Sequence, residues 1–130
     1  LSYERGHILP PHAGASAKVL LAWLPAEEID AVLNGARLTR YTEDTVTDPA
    51  KLRAQLANIR GAGYAVSNGE VDAGVRGVAA PIFGLDGQVI AGLTTAGPAF
   101  RIDGQLLPRV IEATRAAAEA ISKRLVSMEA

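Results

Sequence analysis

The chain of 130 residues contains no cysteine. Disulfides and thiolate metal sites are therefore excluded, and a reducing compartment is compatible with the composition. No charge sign is in excess: thirteen Lys and Arg stand against fourteen Asp and Glu, a formal net charge of −1. That is not the basic balance of a chain that binds nucleic acid by itself. No apolar run approaches the ~18 residues that a membrane span needs, so no membrane partner is expected. The N-terminal stretch "LSYERGHILPPH" lacks the apolar run of a signal peptide, which points to a cytoplasmic protein. Position 1 is not Met, so a fragment is expected. The length suits one domain, 1–130, with a core that needs no staples.

The elements that are present mix helices with antiparallel strands, so the fold class is α+β. "LSYERG" reads as the end of a strand whose partners precede the chain. Pro10 and Pro11 break it. "HAGASAKVLLAWL", His12–Leu24, reads as a helix, small in its first turn and then apolar almost all round, hence largely buried. Pro25 with Glu27 and Glu28 starts a second helix that ends near Asn34-Gly35. Asp48 and Pro49 cap a third, with Leu52, Leu56 and Ile59 as its apolar stripe and Gly61–Gly63 as its stop. Tyr64–Ser67 reads as a short strand, followed by the Asn68-Gly69 turn and a loop. Strands Val75–Phe83 and Gln88–Ala96 flank an Asp86-Gly87 hairpin turn, and Gly97-Pro98 ends the second. From Asp103 onward the pattern is helical. Its apolar face is Leu107, Val110, Ile111, Thr114, Ala117, Ala118, Ile121 and Leu125, with Glu119 and Lys123 paired on the other side.

The hairpin has two unlike faces, because side chains alternate along a strand. One face carries Val78, Ala80, Ile82, Val89, Ala91, Leu93 and Thr95 and is large enough to pack on helices. The other, near the open end, is Gly77, Ala79, Thr94 and Ala96. Four small side chains together leave a hollow. Either a helix packs closely there, or the hollow is a ligand pocket with a few polar groups. In the second case Thr94 supplies a hydroxyl. The helix starting near His12 supplies free N–H groups, which favour an anion such as a carboxylate. The small stretch Gly14–Ala17 suits close approach of a ligand.

Catalytic readings are thin. His12 and Ser16 are four apart on one expected helix face, which is half of a nucleophilic site. No Gly-x-Ser-x-Gly elbow surrounds Ser16, and no acid is placed to complete a triad. No enzyme activity is expected; His12 more simply packs or caps. His7 and His12 with Glu70 or Asp72 match no metal-ligand spacing, so neither metal nor cofactor is expected. Glu70 and Asp72 read more simply as loop caps or solvated groups. Lys18 reads as a charge reaching from a buried helix to a carboxylate or to solvent. Trp23 reads as core.

"PPHAGASAKVLLAWLP", "LTRYTEDTVTDPAKLRAQLANIRGAGYAVSNGEVDAGVRGVAAPIF", "AGLTTAGPAFRI" and "AISKRL" occur in this order and cover nearly the whole chain. Together they resemble the effector-binding domain of IclR-family bacterial transcriptional regulators. The resemblance implies a GAF-like antiparallel sheet flanked by helices, here without the domain's first helix and strands. It implies an effector between the helix after Pro-x-His-Ala and the sheet. By motif, Ala15, Ser16 and Ala17 lie where that helix meets the ligand, and Ser67 stands at a position that is often acidic. Gly77 stands where a Cys is common, and Thr94 and Ala96 where Ser is common. Ala17 departs from the usual Gly, Gly77 from the Cys and Ala96 from the Ser, which implies a roomier and less polar pocket. The implied partner is a small organic effector, a carboxylic acid by the helix-start argument. Operator DNA is reached only through an N-terminal winged helix-turn-helix domain that these residues do not include. Self-association as a homodimer or homotetramer is implied as well. The rival reading is a GAF-like sensory module attached to a different output.

Overall fold

A computed structural model describes residues 4–6 and 8–129. The expected strand at the N-terminus falls partly outside these residues; Glu4–Gly6 are not strand. The order is α1 (Ala15–Ala22), α2 (Ala26–Gly35), α3 (Pro49–Ala62), β1 (Ala65–Asn68), β2 (Val75–Phe83), β3 (Val89–Pro98) and α4 (Leu107–Glu129). The strands form one antiparallel sheet in the order β1–β2–β3. Helix α1 packs against all three strands on one face, and α4 packs on β2 and β3.

Helix α3 is bounded as its sequence dictates. Asp48 accepts from the Ala50 N–H, Pro49 takes the first turn where its missing N–H costs nothing, and Gly63 ends the helix at φ 86°. Helix α1 is shorter than expected. Gly14 has φ 90° and ψ 150°, a conformation that only glycine adopts readily, so the helix begins at Ala15 and excludes His12. Its apolar surface is used on both sides. Ala15 and Val19 meet Ala65 and Ala79 of the sheet, while Leu21 and Ala22 meet Leu56 of α3. Helix α4 also begins late, at Leu107. Asp103 first bonds the N–H groups of Gln105 and Leu106 in a preceding turn.

The hairpin register pairs Gly77 with Ala96, Ala79 with Thr94 and Pro81 with Gly92, so the small residues do share one face. Beyond Ile82 a bulge pairs Phe83 with Val89 rather than Ile90, and Ile90 is exposed. Strand β3 runs on through Gly97 to Pro98, past its expected end. Among the described residues β3 is paired on one side only, and an edge tolerates a proline. The other edge is blunted too. Since Ala79 pairs with Ala65, period two puts Pro81 and Phe83 on that same edge beyond the end of β1. Pro81 has no N–H to leave open, and the Phe83 N–H donates to Ser122 Oγ on α4 at 2.9 Å. On the larger face Ala80 and Ile82 pack on Ala118, with Ala91, Leu93 and Leu125 around them. Of the expected face of α4, Thr114 and Ala118 are buried, while Ala117 and Ile121 stand exposed.

Candidate functional site

Part of the small-residue face is filled by α1. A Cβ added at Gly92 would lie 2.9 Å from Val19 Cγ1, so the helix comes down where glycine lets it. Toward the open end of the hairpin the contact relaxes: a Cβ at Gly77 would lie 3.8 Å from Ala15 Cβ and 3.9 Å from Thr94 Cγ2. There a cleft of about 340 Å³, much of it open to solvent, lies between α1, the hairpin and the turn after β1. Ala15, Ser16, Ser67, Gly77, Thr94 and Ala96 all line it. Ala17 does not; it lies on the same first turn and is half-buried. The space that the centre of a water molecule can occupy is about 20 Å³, enough for one water.

Across this cleft the Ser16 and Thr94 hydroxyls share a hydrogen bond of 2.7 Å that ties α1 to β3. The N-cap of α1 is Gly14, which has no side chain to cap the helix, and the first turn holds no acidic residue. The first N–H groups of the helix are therefore not satisfied by a side chain of its own N-cap residue. His12 and Ser16 do not meet as a catalytic pair. The His12 Nε2 donates to the Thr39 carbonyl at 2.7 Å and its ring stacks on Tyr41, whereas Ser16 faces Thr94. Among the described residues no three metal-binding side chains cluster; His7 lies outside them. No helix among them is long and apolar enough to cross a membrane.

Residues 2–123 match the family described as bacterial transcriptional regulator IclR C-terminal. The chain belongs to the IclR family. It is 40% identical over 111 residues to the HTH-type transcriptional regulator BhcR of Paracoccus denitrificans, covering 85% of this chain and 40% of BhcR. The C-terminal domain of the Escherichia coli regulator KdgR superposes with a TM-score of 0.84 at 35% identity, over 90% of this chain and 71% of that one. The inducer-binding domain of PobR from Acinetobacter, a double mutant in complex with 3-hydroxybenzoic acid, superposes with a TM-score of 0.82. It is 30% identical, over 88% of this chain and 66% of that one. The chain spans half or less of the length of curated relatives such as BhcR and XynR. These relatives are HTH-type transcriptional regulators.

Four further residues line the cleft of this IclR-family domain: Glu70, Val71, Asp72 and Val75. Glu70 is buried, and its Oε1 accepts from the Gly14 N–H at 3.1 Å and from Lys18 Nζ at 2.5 Å. Lys18, 3% exposed, also donates to Gln55 Oε1 at 2.8 Å. The backbone of this turn is pinned from behind. Thr45 donates to the Glu70 carbonyl at 2.6 Å and accepts from the N–H groups of Tyr41 and Thr42, and Thr42 donates to the Gly69 carbonyl. The expectations for Lys18 and Glu70 separately, a charge seeking a carboxylate and a loop cap, meet in one ion pair. A buried lysine on an otherwise apolar helix was the available sign that an acid had to come to it.

Proposed function

We propose that this IclR-family chain is the small-molecule effector-binding domain of a transcriptional regulator, and that its effector enters the cleft between α1 and the open end of the β2–β3 hairpin. The observation that carries this reading is the Ser16–Thr94 hydroxyl pair, 2.7 Å apart, beside the uncapped N–H groups of α1. Two hydroxyls and a helix start together suit the polar end of a carboxylic acid. Gly77 and Ala96 form the floor and rim, Ala15 and Ser67 the sides, and Ala17 contributes through its backbone N–H. The related PobR inducer-binding domain is in complex with 3-hydroxybenzoic acid, a small carboxylic acid.

An organic acid needs more room than about 20 Å³. Its entry must move α1 or the turn at residues 69–74. That movement is what a sensor requires, because a ligand shifts an equilibrium only by its different affinity for two arrangements. The output is operator affinity, set by an N-terminal DNA-binding domain in a cytoplasmic homodimer or homotetramer.

The test is thermal unfolding of the protein in a panel of small carboxylic acids that includes 3-hydroxybenzoate. A ligand at a hundred times its Kd stabilises by about 2.7 kcal/mol. At least one acid is expected to raise Tm, with the rise abolished by Ala96→Phe. A panel with no effect, or a rise that Ala96→Phe leaves intact, overturns the reading.

A further inference from the structure

We propose that Glu70 sets the charge selectivity of the cleft: it seats a protein carboxylate on Lys18 and the Gly14 N–H, and so denies that position to ligand anions. The inference rests on the reading of the cleft as a ligand site. The geometry is that of a bound anion supplied by the chain itself. One oxygen of Glu70 receives both the Lys18 ammonium and the Gly14 N–H, and the ammonium's other partner is the neutral Gln55 oxygen.

Among the described residues Lys18 is the cation paired at this wall, and it is 3% exposed. With Glu70 in place its charge is already matched, and a second carboxylate arriving there would face a carboxylate with no free countercharge. A ligand anion is left the other side of the cleft, where Ser16, Thr94 and the first turn of α1 offer donors without formal charge. The part of the ligand that faces Glu70 must then be neutral or a hydrogen-bond donor, such as a hydroxyl or amine. The ligand class is a monocarboxylate with a donor group at its far end. The Thr45 and Thr42 bonds to the 69–70 backbone hold Glu70 at this post.

Removing the tethered anion should turn the position into a receptor for a free one. The experiment is thermal unfolding of the full chain as wild type, Glu70→Ala and the double variant Lys18→Met with Glu70→Ala. Each is titrated with sodium formate against sodium chloride at matched ionic strength. Glu70→Ala should gain a formate-specific rise of about 5 °C at ten times the formate dissociation constant. Wild type, whose position is filled, and the double variant, whose ammonium is gone, should show none. If Glu70→Ala is unfolded in chloride, the same titration reads refolding in formate. A Glu70→Ala protein that formate neither stabilises nor refolds overturns the proposal. So does an equal formate response in wild type or in the double variant. The result stands apart from the acid panel above, since formate rescue needs no effector to be known.

Discussion

Thr94 and Thr95 are neighbours on β3, and their hydroxyls tie the sheet to helices on its two opposite faces. Thr94 meets Ser16 of α1 at 2.7 Å, and Thr95 meets Thr114 of α4 at 2.8 Å. The alternation of a strand makes this possible with consecutive residues. The two bonds differ in setting. Ser16 and Thr94 are both half-buried beside the cleft, while the exposed Thr95 reaches Thr114, which is 3% exposed on α4.

That difference yields opposed outcomes for two matched variants. Thr94→Val keeps the side-chain shape and removes the hydroxyl from the cleft. It should weaken binding of the acid found in the panel by about 1.5–3 kcal/mol, roughly ten- to a hundredfold, while the domain stays folded. Thr95→Val leaves the Thr114 hydroxyl buried without its partner. It should cost about 1–3 kcal/mol of stability and leave ligand affinity unchanged. Urea unfolding and calorimetric titration of both variants check the pair.

Gly92 and Ala96 are both exposed, but α1 comes down on Gly92 and not on Ala96. Gly92→Ala would put a Cβ 2.9 Å from Val19 Cγ1, on a β-branched side chain that is fully buried and stiff in a helix. The expected loss is about 1–3 kcal/mol by overpacking. Ala96 is exposed. Ala96→Phe should change stability little and block the effector. The urea midpoints of the two variants should separate clearly; equal losses would make Ala96 a core position and remove the cleft.

Much of this division was legible in the sequence, and the part that was not has a physical cause. The face shared by Gly77, Ala79, Thr94 and Ala96 follows from period-two alternation alone, and the register agrees. The sequence left two readings of that face, helix packing and a hollow. Helix packing is seen at Gly92 and an open cleft at Gly77 and Ala96, because α1 crosses the face instead of covering it. The start of α1 was misplaced because His12 and Ala13 carry no signal against helix. The break lies in the φ of Gly14, which the sequence alone does not reveal. Glu70 was missed as a cleft residue because its partners, Gly14 and Lys18, lie more than fifty positions earlier, and no local pattern encodes that pairing.

The start of α3 offers a test of local rules free of the cleft. The Asp48 carboxylate accepts from Ala50 N at 3.2 Å at an exposed helix end. Asp48→Ala should cost about 1 kcal/mol, and Asp48→Asn should recover most of it, since the amide oxygen can still accept. A urea midpoint for each variant decides. No change in Asp48→Ala would mean that Pro49 and the packing of Leu52 and Leu56 fix the helix start without the cap.

The Lys18–Glu70 pair should behave as a buried pair does and not as a surface one. Its two side chains are 3% and 10% exposed, and its oxygen also serves the Gly14 N–H. Breaking such a pair from one side leaves a charge without a partner in a place water reaches poorly. Lys18→Met should therefore cost about 3–5 kcal/mol, well above the ~0–1 kcal/mol of an exposed pair such as Glu119–Lys123. Adding Glu70→Gln to Lys18→Met removes the stranded charge and keeps an acceptor for the Gly14 N–H. The double variant should thus be more stable than Lys18→Met alone, and the size of the recovery measures how much of the single-variant loss is stranded charge and how much is lost packing. A double variant no more stable than the single would mean that the Glu70 carboxylate is satisfied without Lys18, by the Gly14 N–H and solvent, and that the pair contributes geometry alone.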